Sequence, residues 1–338
     1  MLTRFIRKTL TLLSLITLCT TAGAAQCWDE YKSRFLNSDG AIIDTGNNKM
    51  SHSEGQSYGL IFSLYFDDKE SFEKILNWTD ANLFNEEKGL YSWAYKRNEK
   101  NPVADKNNAT DGDFMICWAL IEAGKKWNNV EYIRKGEKLA STIMNTLIVE
   151  FAKTMVVLPG LKTFLDKNSV IINPSYYIWP AFSGLFRHTY MKKWQKIEND
   201  GKKIITSVKD TKEKITPDWL KMNLSGEVEV SEKWPARSSY DAIRVPLYLF
   251  WENENAPELQ VWRDYFKAFP ADKTPAYTDV ISGEKAGYMM TSGLLNVRNL
   301  VMGQRIDEPV LTEKDDYFNC SLSILSYLAA NHAFLKAE

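Results

Sequence analysis

Ser53-Glu54-Gly55-Gln56-Ser57-Tyr58-Gly59-Leu60-Ile61-Phe62-Ser63-Leu64-Tyr65 has the outline of a helix. Tyr58, Ile61, Phe62 and Tyr65 recur at the three- and four-residue spacing of one helical face. Ser53 is placed as an N-cap, with Gln56 three residues on to complete a capping box. Asp67-Asp68 stops this helix and starts another, whose Phe72, Ile75, Leu76 and Leu83 fall on one side. The form returns at 111–127, where Asp111, Gly112 and Asp113 precede Phe114, Met115, Trp118 and Ile121. Asn128-Asn129 then turns the chain into a long helix predicted to end near Phe151. Further helices are expected at 28–37, 175–208, 240–251, 257–268, 288–302 and 316–335. Strand signals are sparse. Residues 225–232 alternate briefly at Val228 and Val230, which predicts a small β-hairpin arm. Sustained α/β alternation is missing, so the expected fold is all-α: antiparallel helix pairs closing into a toroid of helical hairpins. Connections gathered at one end of such a toroid can carry a site.

Composition narrows the function classes. The chain has 338 residues, 44% of them hydrophobic, and its 42 basic and 43 acidic residues nearly cancel. No basic patch or tail argues for nucleic acid. The 11 Trp, 16 Tyr and 16 Phe serve a packed core, or a groove in which rings stack on sugar faces. Residues 1–24 read as a cleaved signal peptide. Arg4, Arg7 and Lys8 precede an apolar stretch from Thr9 to Cys19 that is too short to span a bilayer, and Ala22-Gly23-Ala24 gives the cleavage site. Cleavage removes those three cations and no acid, taking the net charge from −1 to −4. The remainder, 25–338, reads as one catalytic domain, periplasmic or secreted and without stable membrane insertion. Export permits disulfides, but Cys27, Cys117 and Cys320 are an odd set. Cys27 and Cys320 pair only if the first and last helices touch.

Among chemical motifs, the negatives come first. His52, His188 and His332 have no metal-ligand spacing, and no phosphate-cradling glycine loop is present, so neither a metal nor a cofactor is expected. Gly55-Gln56-Ser57-Tyr58-Gly59 matches the serine-hydrolase elbow in letters only. An elbow follows a buried strand, whereas residues 44–52 are polar. Carboxylates are the better lead: Glu54 beside Gly55, Asp111-Gly112-Asp113, and Tyr240-Asp241-Ala242-Ile243-Arg244. Each stands at a helix start, where the dipole alone favours an acid. The neighbouring glycines suggest a close approach to the backbone, and Arg244 shares a helical face with Asp241.

At these residues the sequence resembles glycoside hydrolase family 8, and within it the periplasmic β-1,4-glucanases of bacterial cellulose-synthesis operons. The likeness runs in order through Ser53–Gly59, Trp78-Thr79, Ala109-Thr110-Asp111-Gly112-Asp113, Leu158-Pro159-Gly160, Asn173-Pro174-Ser175-Tyr176, Pro217-Asp218-Trp219 and Ser238–Arg244. It covers roughly 27–300 and departs at Cys117, where the family has alanine, and at 161–172, which lacks an acidic loop. The resemblance implies an (α/α)6 barrel and an inverting endo-acting hydrolase of β-1,4-glucan. By it, Glu54 is the general acid, Asp241 the general base and Asp111 the residue that holds the sugar at the cleavage point. Asp113, Tyr240, Arg244, Tyr176, Trp93 and Tyr58 complete the substrate-binding set, with Trp93 and Tyr176 as stacking platforms. It further implies a monomer associated with cellulose-synthesis machinery. Inversion requires the Glu54 and Asp241 carboxyls to stand ~6.5–9.5 Å apart. A proton donor at a helix start must also be kept protonated against the dipole, by burial or by a like charge such as Asp111. Chitosan or xylan as substrate, a lyase, and a groove that binds glucan without cleaving it are the alternatives.

Overall fold

The computed structural model describes residues 24–335. Apart from Ala24, the signal peptide expected at 1–24 lies outside the described residues. Eleven helices are described: α1 Ala24–Phe35, α2 Ser53–Tyr65, α3 Lys69–Asn82, α4 Thr110–Lys126, α5 Val130–Thr146, α6 Trp179–Thr189, α7 Lys192–Thr206, α8 Arg244–Glu252, α9 Leu259–Lys267, α10 Ser292–Val301 and α11 Tyr317–Ala330. None is long and apolar enough to cross a membrane.

The helices sort by burial. In α2, α4, α8 and α11 nearly every residue is buried, so these are enclosed on all sides. In α3, α5, α7 and α9 burial is confined to one face. An inner ring closes through the contacts α2–α4, α4–α6, α6–α8, α8–α10, α10–α11 and α11–α2, with α3, α5, α7 and α9 packed outside their predecessors.

The inner helices run parallel. At the start of α2, Ser53 packs on Gly112 of α4, and at the other end Lys126 Nζ donates to Leu64 O at 2.9 Å. Likewise α10 and α11 keep one register: Gly293 N–H donates to Asn319 Oδ1 at 3.1 Å, and Asn296 Nδ2 to Ser323 Oγ at 3.0 Å. Two parallel neighbours need a return path between them. Residues 303–316 supply it as an extended strap along α1, with Glu308 Oε1 accepting from Cys27 N–H and the Thr312 carbonyl from Arg34. The strap fills the sixth outer position, and the architecture is the expected (α/α)6 barrel.

Local departures have physical causes. The 175–208 helix breaks at Tyr190, which adopts a left-handed conformation at φ 56° and caps α6. The helix expected to reach Phe151 ends at Thr146. The chain then forms a hairpin, Ile148–Phe151 against Thr154–Val157, turning on Ala152 and Lys153 at φ 47° and 64°. Successive positive φ values match the twist of a tight hairpin turn. The arm expected at 225–232 exists as Leu220–Asn223 paired with Val228–Val230, and Ser169–Ile172 adds a third strand. The cap of α2 is His52 and not Ser53: His52 Nδ1 accepts the Gly55 N–H at 3.0 Å. Gln56 points into the core instead, accepting from Ile42 N–H and donating to Thr79 Oγ1. Cys320 is a free thiol, with its Sγ 3.6 Å from Arg34 Nη1, so the Cys27–Cys320 pairing is not made.

Candidate active site

Parallel inner helices bring their N-termini to one end, and the three acid-bearing stretches meet there. Glu54 and Asp111 stand in the first turns of α2 and α4. Asp241 lies in the turn that leads into α8, whose first residue is Arg244.

Arg244 joins them. Its Nη1 donates to Glu54 Oε2 and, at 3.2 Å, to Asp111 Oδ2. Its Nη2 donates to Asp241 Oδ1 at 2.6 Å, the i,i+3 pairing expected from sequence. The side chains of Arg244 and Asp111 are 3% and 5% exposed, those of Glu54 and Asp241 19% and 33%. Two carboxylates therefore reach open space, and the cation and third carboxylate form the floor beneath them. Burial and then the charge of Glu54 push the Asp111 carboxyl up to about 7, against the lowering pull of Arg244.

Tyr176 belongs to this cluster. Burial, and after it the charges of Asp111 and Asp241, drive its hydroxyl well above the ordinary tyrosine range. Trp93 sits beside Glu54 through the backbone, since its carbonyl accepts the Ser53 N–H at 3.0 Å. Its ring lines a hollow of about 500 Å³ with Met50, Asn47 and Arg97. Tyr240 is 42% exposed, and its hydroxyl lies 3.1 Å from that of Tyr288. A larger hollow, about 630 Å³, lies against α9 and contains none of these carboxylates.

Two of the expected sugar-binding residues, Asp113 and Tyr58, are enclosed by protein. Asp113 is fully buried and turned away, accepting from Tyr91 N–H at 2.9 Å and Asn108 Nδ2 at 2.8 Å. Burial raises its carboxyl to about 8. Tyr58 is 1% exposed and lies beneath the cluster, its hydroxyl 3.3 Å from Arg244 Nη1 and 3.4 Å from the Tyr248 hydroxyl. The glycines also have another purpose. A Cβ at Gly112 would fall 2.4 Å from Ser53 Oγ, and one at Gly55 would fall 2.9 Å from the Tyr317 hydroxyl. What approaches these backbones is protein. Among the described residues, no group of three His, Cys, Asp or Glu is disposed to hold a metal.

The model of glycosyl hydrolases family 8 matches residues 3–332. The chain belongs to that family. It is 35% identical to an endoglucanase of Cellulomonas uda over 88% of this chain and 83% of that protein. It is 34% identical to a probable endoglucanase of Novacetimonas hansenii over 92% of each. It also matches the crystal structure of a family 8 endo-β-1,4-glucanase from an Achatina fulica gut metagenomic library, with a TM-score of 0.89 and 39% identity over 90% of this chain and 97% of that one. The protein is thus a glycoside hydrolase, and Glu54 and Asp241 are partly exposed carboxylates in it.

Sequence reasoning assigned no role to two residues of this hydrolase. Asn173 Nδ2 donates to Asp241 Oδ2 at 3.1 Å, while its Oδ1 accepts from Ser175, which fixes which way the amide faces. Asp218 holds the backbone on both sides of Asp241. Both stand in quoted motifs, but only a fold can bring residues 173 and 218 to residue 241.

Proposed function

We propose that this family 8 enzyme hydrolyses internal bonds of a β-1,4-glucan with inversion. Glu54 acts as general acid, protonating the leaving glycosidic oxygen. Asp241 acts as general base, activating a water on the opposite face of the sugar. Asp111 lies under the cleavage point and orients the sugar through the same cation. The observation that carries the reading is Arg244, which holds Glu54 and Asp241 on different Nη atoms and leaves both carboxylates partly exposed. Inversion needs room for a water between the two carboxyls, ~6.5–9.5 Å, and holding them on separate ends of one guanidinium favours a gap over contact. A proton must also be kept here near neutral pH. Burial, and then the charge of Glu54, raise the neighbouring Asp111 to about 7. Trp93, Tyr176 and Tyr240 are the sugar-contacting rings, and the names of the similar endoglucanases support glucan over other polymers.

The leader at 1–24 supports action in the periplasm or outside the cell, where a glucan under secretion would be met. In this reading the enzyme works as a monomer alongside cellulose-synthesis machinery.

The test is turnover of carboxymethyl cellulose, followed as reducing ends and viscosity. The wild type should lower viscosity early, as an endo-acting enzyme does. Glu54→Gln and Asp241→Asn should each lose at least ~10²-fold, the scale of general acid–base catalysis. A Glu54→Gln enzyme that keeps most of its turnover is not missing its proton donor, and the assignment fails.

A further inference from the structure

Asp241 is held by its side chain, but its backbone poses a separate problem. It lies in the turn 240–243, ahead of the helical ladder of α8. The first N–H groups of a helix have no partner within it and need a cap. Here the cap residue, Ile243, offers no side-chain hydrogen bond.

The turn's own carbonyls, at Ser239, Asp241 and Ala242, accept from Ile243, Arg244 and Val245 N–H, whereas the N–H groups of Ser239 and Ala242 are taken by Asp218, which stands 23 residues before Asp241. Asp218 Oδ1 accepts from Ser239 N–H at 2.9 Å and from Ala242 N–H at 2.8 Å, and Oδ2 accepts from the Ser239 hydroxyl. These donors bracket Asp241. Asp218 is itself fixed, since its N–H donates to the Arg237 carbonyl at 2.7 Å, beside the Arg237-Ser238 strand paired with Thr278-Asp279. It is 8% exposed, and among the described residues no cation lies within ion-pair distance of it. A buried acid without a counter-ion is costly to keep unless its hydrogen bonds do something needed. Burial, and then the charge of Asp241, raise its carboxyl to about 6.

We propose that Asp218 is a positioning residue for Asp241: it clamps the 239–242 turn so that the Asp241 carboxylate, already tied to Arg244 and Asn173, meets its water at a fixed angle. The proposal rests on Asp241 being the general base. An alanine at 218 removes both acceptor oxygens, so the Ser239 and Ala242 N–H groups and the Ser239 hydroxyl all lose their partner.

The test is a double-mutant cycle on the full enzyme. Asp218→Ala should lower kcat by ~10–100-fold, the scale of a small misplacement of a reacting group, with KM within about twofold. Asp218→Glu should not restore it. In an Asp241→Asn background, Asp218→Ala should cost nothing further, because a clamp without its base has nothing left to place. Ser239→Ala removes one donor and leaves the carboxylate, and should show a smaller loss of the same kind. It decides the question if Asp218→Ala does not fold. A loss appearing in KM alone, or losses that multiply in the double mutant, would overturn the positioning role and leave the base assignment standing. An Asp241→Asn enzyme with near-normal turnover would remove the base assignment, and this proposal with it.

Discussion

Arg244 sits where three carboxylates, two partly exposed and one buried, would otherwise repel one another. Its guanidinium presents several donors in a fixed fork, which suits it to hold more than one carboxylate at once. The side chain is 3% exposed and meets Glu54, Asp111 and Asp241. Removing one partner of a buried ionic cluster leaves the others uncompensated. Arg244→Met should therefore lower unfolding free energy by about 3–5 kcal/mol in a urea titration. Adding Asp111→Asn to that variant should recover part of the loss. A near-neutral Arg244→Met would mean that solvent, not the guanidinium, screens these acids. This cation was legible in part. Spacing put Arg244 on the face of Asp241, but its reach to Glu54 and Asp111 crosses 190 and 133 residues of sequence. Asp111 and Asp113 look alike as first-turn acids. They lie two residues apart, so the ~3.6-residue turn sends them to different sides of α4. Asp111 meets Arg244 and Asp113 meets Asn108.

Helices explain why those side chains arrive together. The starts of α2 and α4 touch at Ser53 and Gly112, where an added Cβ would stand 2.4 Å from Ser53 Oγ and 2.9 Å from the Ser53 carbonyl carbon. The second of these is backbone and cannot rotate away. Gly112→Ala should push the two starts apart, lower stability by about 1–3 kcal/mol, and reduce turnover because Glu54 and Asp111 ride on them. Paired measurements of the urea midpoint and of kcat check this, and an unchanged midpoint would contradict it. Most helices could be read from sequence because apolar residues recur at helical spacing, clearly so in α2 and α4. The hairpin at 148–157 could not. Leu139, Ile143 and Leu147 carry the helical pattern up to its edge, and its turn rests on left-handed Ala152 and Lys153, which no glycine announces. The α2 cap was misplaced by one residue, because a serine and a histidine stand side by side and only geometry shows that the histidine nitrogen takes the Gly55 N–H.

At the scale of the molecule, one arrangement links fold to chemistry. Inner helices run parallel, so their positive ends collect where Glu54, Asp111 and Asp241 are found. The strap at 303–316 lets α10 and α11 keep that direction without a sixth outer helix between them. Toroidal packing was legible from helical hairpins without strands, whereas the strap was not, since its sequence has no periodicity. The central claim is that Glu54 and Asp241 work across a water and not through a covalent sugar. Proton NMR of a cello-oligosaccharide during its first minutes of hydrolysis tests it most directly. The account predicts that the newly formed reducing ends appear first as the α-anomer and then mutarotate. Reducing ends that appear first as the β-anomer would mean retention, and would contradict the roles given to Glu54 and Asp241.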